Sequence, residues 1–184
     1  KGGGAERRLI CLARALSDQG HNIHIITWDE HHDNSFFPLP KSVSWHKLGA
    51  SAGFIGKLQR TIRLSKVLKY FNIKLLIGFV MANNKVVILS AILSSTKLVA
   101  AERNSPIIYH IKHTFFGRWM NFLSLLACDY IVVQFESFKA GYPVFLRGRT
   151  SVIPNPIFPS KTQAKPGSSE KKSFHMLFLG RLES

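Results

Sequence analysis

The sequence is poor in acidic side chains. Its 184 residues include 10 Asp and Glu against 25 Lys and Arg, a formal net charge of +15 with neutral histidines. No acidic residue lies between Asp33 and Glu102, although that stretch carries ten Lys or Arg. A chain this positive is unsuited to cationic ligands. We therefore expect a polyanionic partner, which is a phosphate-bearing ligand, a nucleic acid or the anionic surface of a bilayer.

Residues that bind metals or form disulfides are also scarce. Cys11 and Cys128 are far apart and have no metal-ligand spacing, so both are expected to be buried, reduced thiols of a cytosolic protein. His31 and His32 are adjacent in a polar loop, and neighbouring loop residues rarely share one ion. We therefore expect neither a metal nor a cofactor.

Long apolar runs are absent as well. The two most apolar stretches, 86–101 and 119–135, are short, and they contain Lys97 and Asp129 respectively. A membrane-spanning helix needs roughly 20 uninterrupted apolar residues. The sequence therefore predicts no transmembrane segment.

The chain begins with a cluster of glycines. Gly2, Gly3 and Gly4 stand directly before a helical pattern over 5–19, which Gly20 is expected to end. The spacing matches neither the dinucleotide fingerprint GxGxxG nor the P-loop ending GK[ST]. The glycines are either a flexible end or a stretch of open backbone at a helix N-terminus, where N–H groups attract phosphate.

Strand and helix patterns alternate along the chain. Strands are predicted at 22–28, 42–48, 73–79, 97–101, 130–134 and 151–153, and helices at 5–19, 54–71, 83–93, 112–128 and 137–145. This alternation predicts a Rossmann-like parallel sheet with helices on both faces, which binds ligands at the carboxyl ends of its strands. A glycine turn that feeds a helix is the second half of a β-α-β unit, so we expect the first strand of this sheet to precede Lys1.

The composition changes near residue 160. Residues 159–173 are polar and rich in small side chains, whereas 174–180 is an apolar run typical of a buried strand. We therefore predict a domain over 1–158, a linker over 159–173, and the first strand of a second domain over 174–184.

Two groups of polar residues follow the strand predicted at 97–101. Glu102, Arg103 and Asn104 stand where ligands bind in such a sheet, although they could instead cap the next helix. His110 and His113 come later and are weak candidates for catalysis, since a histidine in such a place is commonly a solvated surface residue.

The helix predicted at 54–71 carries a basic residue at every third position: Lys57, Arg60, Arg63, Lys66 and Lys69. The stripe winds slowly around the helix, and no acid balances it. It is either an ordinary solvated face or a surface that faces a membrane, where each cation contributes about 1 kcal/mol.

Four motifs stand in the order of a known enzyme family. GGGAERRLICLARALSDQGHNIHIIT at 2–27, AERNSP at 101–106, SVIPNPI at 151–157 and LFLGRLES at 177–184 span nearly the whole chain. Together they resemble the family-four retaining glycosyltransferases, in the branch that builds bacterial surface polysaccharides such as lipopolysaccharide.

The resemblance implies half of a GT-B fold, in which two Rossmann-like domains face each other across a cleft. The N-terminal domain holds the acceptor, which implies that Glu102, Arg103 and Asn104 contact it. The glycines Gly2, Gly3 and Gly4 lie near the donor, and Gly180 with Arg181 pairs with its diphosphate. The E-x7-E carboxylates of the C-terminal domain are not in this sequence, so the stretch by itself is not expected to be active.

The implied activity is that of a retaining hexosyltransferase. It would pass a sugar from a nucleotide-sugar, expected to be a UDP-sugar, to a glycan or lipid-linked acceptor. The protein would lie on the cytoplasmic face of the cell membrane and bind no nucleic acid.

Two other functions stay open at this stage. A basic nucleic-acid-binding module would account for the charge, but the sequence has no RNP motif and no zinc spacing. A GT-B sugar epimerase shares the architecture, but its expected phosphate-binding and catalytic motifs do not occur here.

Overall fold

The structure is a computed structural model that describes residues 3–49, 53–79, 85–107 and 114–156. The chain divides into two compact units, Lys1–Pro154 and Asn155–Ser184. The predicted linker and the predicted strand over 174–184 lie outside the described residues. In the described part, no helix is long and apolar enough to cross a membrane.

Twelve helices and strands make up the described part of the first unit. In chain order they are α1 (Gly4–Asp18), β1 (Ile23–Thr27), β2 (Val43–Lys47), α2 (Gly53–Tyr70), β3 (Leu75–Phe79), α3 (Lys85–Ser94), β4 (Lys97–Ala101), α4 (Phe115–Leu125), β5 (Tyr130–Val133), α5 (Glu136–Ala140), α6 (Val144–Arg147) and β6 (Thr150–Val152). Each predicted strand is present within one or two residues of its predicted bounds.

One predicted helix is wrong in extent. The pattern at 137–145 predicts a single helix, but the chain forms α5 and α6 with a break at Pro143. Proline has no N–H to donate, and it disfavours helical dihedrals at the residue before it. Pro143 therefore begins a new helix as the N-cap of α6 instead of continuing α5.

All described strand pairs are parallel, as predicted. Strands β1 and β2 form one ladder, and β3, β4, β5 and β6 form a second ladder in that order. The registers bring Ile77 beside Val99 and Ala100 beside Ile131. In the doubly wound order, the strand predicted to precede α1 would take the position between β1 and β3, and it stays a prediction.

The main core lies on one face of the four-stranded sheet. Alternate residues of a strand point to the same face, and here they are Leu98 and Ala100 of β4 and Ile131 and Val133 of β5. The helices α2, α3, α4 and α6 cover them with Leu64, Leu68, Val87, Ile88, Ala91, Phe122, Leu125 and Leu146. These four helices form one layer.

Helix α1 packs on the β1–β2 sheet through a second, smaller cluster. Ala13 of α1 lies against Ile25 of β1 and Val43 of β2. The other face of β1 and β2 carries His24 and His46, which contact Phe71 just beyond the end of α2. The two-stranded sheet therefore has helical segments on both faces, in agreement with the doubly wound prediction.

The end of α1 shows why Gly20 stops the helix. Gly20 has a positive φ of 87°. Its N–H donates to Ser17 O at 2.9 Å, and the N–H of His21 donates to Leu16 O at 3.1 Å. These bonds form a Schellman motif, whose left-handed residue is most easily a glycine.

Candidate functional site

The N-terminus of α1 presents open backbone. Gly3 is the N-cap with extended dihedrals, and no side chain caps the helix. A Cβ added to Gly4 would meet nothing within 4 Å. In a doubly wound sheet, helices run antiparallel to strands, so this helix end lies at the carboxyl edge of the sheet. The positive end of the helix dipole and its free N–H groups there favour an anion.

Glu6 occupies part of this space. Its Oε2 lies 2.6 Å from the position that a Cβ on Gly3 would take. Glu6 is the third residue of the helix, the place from which a carboxylate folds back toward the N-cap. An anionic ligand at this helix end would have to displace a flexible, exposed side chain, because Glu6 is otherwise open to solvent.

The end of β4 separates two of the predicted acceptor residues. Glu102 N donates to Val132 O at 2.9 Å and so continues the ladder for one residue. The Glu102 side chain is 1% exposed and points to the same face as Leu98 and Ala100. Arg103 points to the opposite face, where its Cζ lies 4.8 Å from the centroid of the Phe79 ring.

Arg8 of α1 approaches Arg103. Burial lowers the pKa of Arg103, and the positive charge of Arg8 lowers it further. Electrostatic repulsion falls off with distance, so the charge of Arg8 lies in the neighbourhood of Arg103, on the side where α1 begins and β4 ends. The Nη1 atom of Arg8 is buried and makes no hydrogen bond within the described part of the chain. Guanidinium groups at this edge of the sheet are chemically suited to a phosphate or a diphosphate, whose oxygens a guanidinium binds in pairs.

Sequence reasoning did not single out Arg8. One signal was available, since Arg7 and Arg8 stand in the first two turns of α1, where the helix dipole disfavours positive charge by about 0.3–1 kcal/mol. Positive side chains near the N-terminus of a helix do not stabilise it, so the presence of Arg7 and Arg8 there is better explained by an anionic ligand.

The segment after Arg103 is held by a buried proline. Pro106 is buried, and its Cγ would lie 3.3 Å from a Cβ on Gly141. Asn104 is exposed, and Ser105 Oγ accepts a hydrogen bond from Ile107 N at 3.3 Å. The segment therefore presents Arg103 and Asn104 from between two buried residues, Glu102 and Pro106.

Cys128 lies in the layer between sheet and helices. Burial raises the pKa of its thiol to about 11, with further contributions from the negative charges of Glu102 and Asp129. Cys128 is therefore a buried, neutral thiol, as predicted. Cys11 is only partly buried.

The basic residues of α2 divide into two groups. Arg60 Cζ lies 5.6 Å from the Trp28 ring centroid, and Arg63 Nη1 donates to Leu48 O at 3.0 Å. Both guanidinium groups thus contact the β1–β2 part of the protein. Lys57, Lys66 and Lys69 are exposed.

The two histidines of the polar loop after β1 are surface residues. His31 and His32 are exposed, and His32 Nε2 lies 3.8 Å from Asp33 Oδ1. Among the residues that the structure describes, no group of three metal-ligating side chains comes together.

A cavity of about 630 Å³ lies at the other end of the sheet. Lys69, Lys74 and Lys97 are among its lining residues, and Lys97 is the first residue of β4. Ligands of doubly wound sheets bind at the carboxyl ends of the strands. We therefore place the candidate site at Arg8 and Arg103 and not in this cavity.

Several predicted site residues lie outside the described residues. They are Gly2, His110, His113, Gly180 and Arg181.

Comparison with known proteins supports the fold. No family model matches the chain, and no curated protein matches it. Among solved structures, the chain is similar to the apo form of WaaB, a lipopolysaccharide outer core galactosyltransferase, with a TM-score of 0.69 and 15% sequence identity. The likeness covers 92% of this chain and 46% of that one, so the chain spans about half the length of this neighbour. The predicted fold class, a Rossmann-like parallel sheet with helices on both faces that forms half of a GT-B fold, is thereby confirmed.

Proposed function

We propose that the chain is the acceptor-binding half of a family-four retaining glycosyltransferase of surface polysaccharide synthesis. It would transfer a hexose from a nucleotide-sugar, and we propose a UDP-sugar, to a glycan or lipid-linked acceptor. The fold and the four sequence motifs support this proposal. The single observation that carries it is the placement of Arg103 at the carboxyl end of β4, where its Cζ lies 4.8 Å from the centroid of the Phe79 ring and Arg8 of α1 adds a second positive charge.

The two arginines would bind the diphosphate of a lipid-linked acceptor. The proposed site has guanidinium groups at one edge of the sheet, and the carboxylate at the start of α1, Glu6, is exposed. A diphosphate carries negative charge on several oxygens, which two planar guanidinium groups can engage together. Preorganised cations of this kind hold a phosphorylated substrate without reorganisation during the reaction.

The other predicted contacts take different roles in this proposal. Asn104 is exposed and would hydrogen-bond the acceptor sugar. Glu102, at 1% exposure, has too little surface to bind a ligand, and we assign it a positioning role at the base of Arg103. The open backbone of Gly3 and Gly4 would accommodate the donor, together with Gly2, Gly180 and Arg181. His110 and His113 stay weak catalytic candidates.

A lipid-linked acceptor implies a place at the membrane. We propose that the protein works at the cytoplasmic face of the cell membrane as a peripheral protein, with the sugar nucleotide as its substrate and no cofactor.

Titration calorimetry with inorganic pyrophosphate and with farnesyl diphosphate tests this proposal. Arg8→Gln and Arg103→Gln should each weaken binding about tenfold or more, since each removes one charge-assisted contact. Arg7→Gln removes the same charge from the same helix at an exposed position and is the matched control, expected to change affinity about twofold or less. Equal losses in all three variants would mean that only the net charge matters, and the proposed site would then be rejected.

A further inference from the structure

The layer of helices on the four-stranded sheet has an unusual outer side. Exposed apolar side chains lie on three consecutive helices of this layer and are between 42% and 74% exposed. We call this set the outer apolar face; its members are Leu58, Ile62, Leu89, Ile92, Phe116 and Leu123.

Helix geometry places the members on α3 and α4 on the side away from the sheet and those on α2 beside the buried side. In α2, Leu58 and Ile62 are one turn apart and about a third of a turn from the buried Leu64 and Leu68, and they border the buried Thr61 and Ser65. They therefore extend the apolar surface of the helix from its buried side onto its flank.

In the next two helices the exposed apolar side chains lie on the side away from most of the buried ones. In α3, Leu89 and Ile92 are exposed, whereas Val87 and Ala91 are buried. In α4, Phe116 and Leu123 are two turns apart and exposed, whereas Leu125 is fully buried. The same cluster of buried residues takes side chains from all three helices, so their outer sides face the same way.

Charge on this layer has a single sign. The helices α2, α3 and α4 contain no Asp or Glu. Lys66 and Lys69 continue the line of Leu58 and Ile62 along α2, and Lys85 begins α3 on the side of Leu89; all three lysines are exposed. Lysine stems can lie along an apolar surface while their ammonium groups reach outward to anions.

We propose that the outer apolar face docks on an anionic lipid bilayer. The proposal rests on the proposed function, which places the acceptor in a membrane, and it names the surface that meets it. Apolar side chains would enter the boundary between headgroups and acyl chains, and Lys66, Lys69 and Lys85 would contact lipid phosphates.

The composition of the face selects this occupant over two others. A second copy of the chain would bring lysines against lysines across a two-fold axis, with no acid on the same helices to pair with them. Nucleic acid prefers polar, strongly basic surfaces, and six exposed apolar side chains do not fit a phosphate backbone. A bilayer interface takes both apolar and cationic groups.

Vesicle co-sedimentation, without any sugar nucleotide, tests the docking surface. The vesicles are phosphatidylcholine alone or phosphatidylcholine mixed with phosphatidylglycerol. One variant places an acid on each helix of the face, as Leu58→Glu, Leu89→Glu and Leu123→Glu. The control makes the same change in charge at exposed apolar positions elsewhere, as Leu12→Glu, Phe36→Glu and Ile153→Glu. All six positions are at least partly exposed, and circular dichroism melting checks that both variants fold.

We expect the original chain to bind the anionic vesicles and to bind neutral vesicles at least about tenfold more weakly. The face variant should lose binding to anionic vesicles about tenfold or more, while the control stays within about threefold. The fluorescence of Trp119, which is 38% exposed on α4, should shift to shorter wavelength on vesicles, and Trp119→Phe should remove that shift.

Three results would overturn the proposal. They are equal binding to neutral and anionic vesicles, equal losses in the face and control variants, and a dimer without vesicle binding that the face variant dissociates. Because the assay contains neither donor nor diphosphate, a failed test of the Arg8–Arg103 site leaves this result unaffected.

Discussion

The imidazole rings of His24 and His46 lie against each other on neighbouring strands. Nδ1 of His24 is 2.9 Å from Nε2 of His46, and the rings are stacked with centroids 5.2 Å apart. Phe71 covers both, at 4.7 Å from His24 and 4.6 Å from His46. A hydrogen bond between two imidazoles needs one ring to donate and the other to accept, so at least one of the two must be neutral.

This pair should make stability depend on pH. Burial lowers the pKa of His46 below its usual 6.5, and the charge of His24 lowers it further. The folded protein then binds fewer protons than the unfolded chain near and below pH 6.5. Stability is therefore fully present above that value and is lost as the pH falls toward the lowered pKa of His46.

Urea unfolding at a series of pH values measures this effect. His46→Gln keeps a hydrogen-bonding side chain but does not titrate, so the fall in stability on acidification should become shallower. His31→Gln removes an exposed histidine and should leave the profile unchanged. If the free energy of unfolding of His46→Gln falls with decreasing pH as steeply as that of the unmodified chain, His46 does not cause the loss of stability in acid.

The two glycines at the start of α1 should respond oppositely to alanine. Gly3→Ala gives the N-cap a poor residue and should destabilise the protein by about 1 kcal/mol, whereas the flexible Glu6 side chain, whose Oε2 lies 2.6 Å from the new Cβ, can move aside at little cost. Gly4→Ala meets nothing within 4 Å and improves helix propensity, so it should stabilise by about 0.5–1 kcal/mol.

Ligand binding separates a structural from a functional role of Gly4. If phosphorylated ligands approach the bare backbone there, Gly4→Ala should weaken the binding of a UDP-sugar while it stabilises the fold. Calorimetry with a UDP-sugar, on the protein joined to the donor-binding half that the proposed function requires, measures this. A stabilised variant of undiminished affinity would remove Gly4 from the donor site.

The main core gives a matched test of packing. Leu125 is fully buried, whereas the next residue, Leu126, is 39% exposed. Leu125→Ala should cost about 2–5 kcal/mol, because it removes buried methyl groups and leaves a cavity. Leu126→Ala should cost less than about 1 kcal/mol by urea unfolding. Similar costs at both positions would contradict the placement of α4 on the sheet.

Much of the fold could be predicted from local patterns. The strand at 97–101 is present with its predicted bounds, because a buried parallel strand is a short apolar run with clear ends. Gly20 was predicted to stop α1 because few other residues adopt its left-handed conformation. The break at Pro143 could also have been predicted, because proline interrupts a helix, but the prediction of a single helix over 137–145 did not allow for it.

The candidate site was less accessible to sequence reasoning. Arg103 was predicted from its position after a strand, but Arg8 is remote in the chain, and only the fold brings its charge into the neighbourhood of Arg103. Alternate residues of a strand point to the same face, so the sequence does indicate that Glu102 lies on the buried face of β4 with Leu98 and Ala100. The contact of His24 with His46 depends on the β1–β2 register, which the sequence does not specify.

Cys128 provides a spectroscopic test of the buried layer. With its thiol pKa at about 11, the folded protein in a Cys11→Ser background should show almost no ultraviolet thiolate absorbance at pH values up to about 9, whereas in urea the thiolate should form near pH 8.5–9. Burial is the largest cause, so Glu102→Gln should lower the pKa of Cys128 without restoring its ordinary value. A pH titration of the absorbance, with far-ultraviolet dichroism as the control for unfolding, measures both. An ordinary thiol titration in the folded state would mean that Cys128 is not buried. An upward shift of the thiol pKa in Glu102→Gln would mean that the carboxylate does not face Cys128. The assigned separation of Glu102 from Arg103 across the sheet would then be wrong.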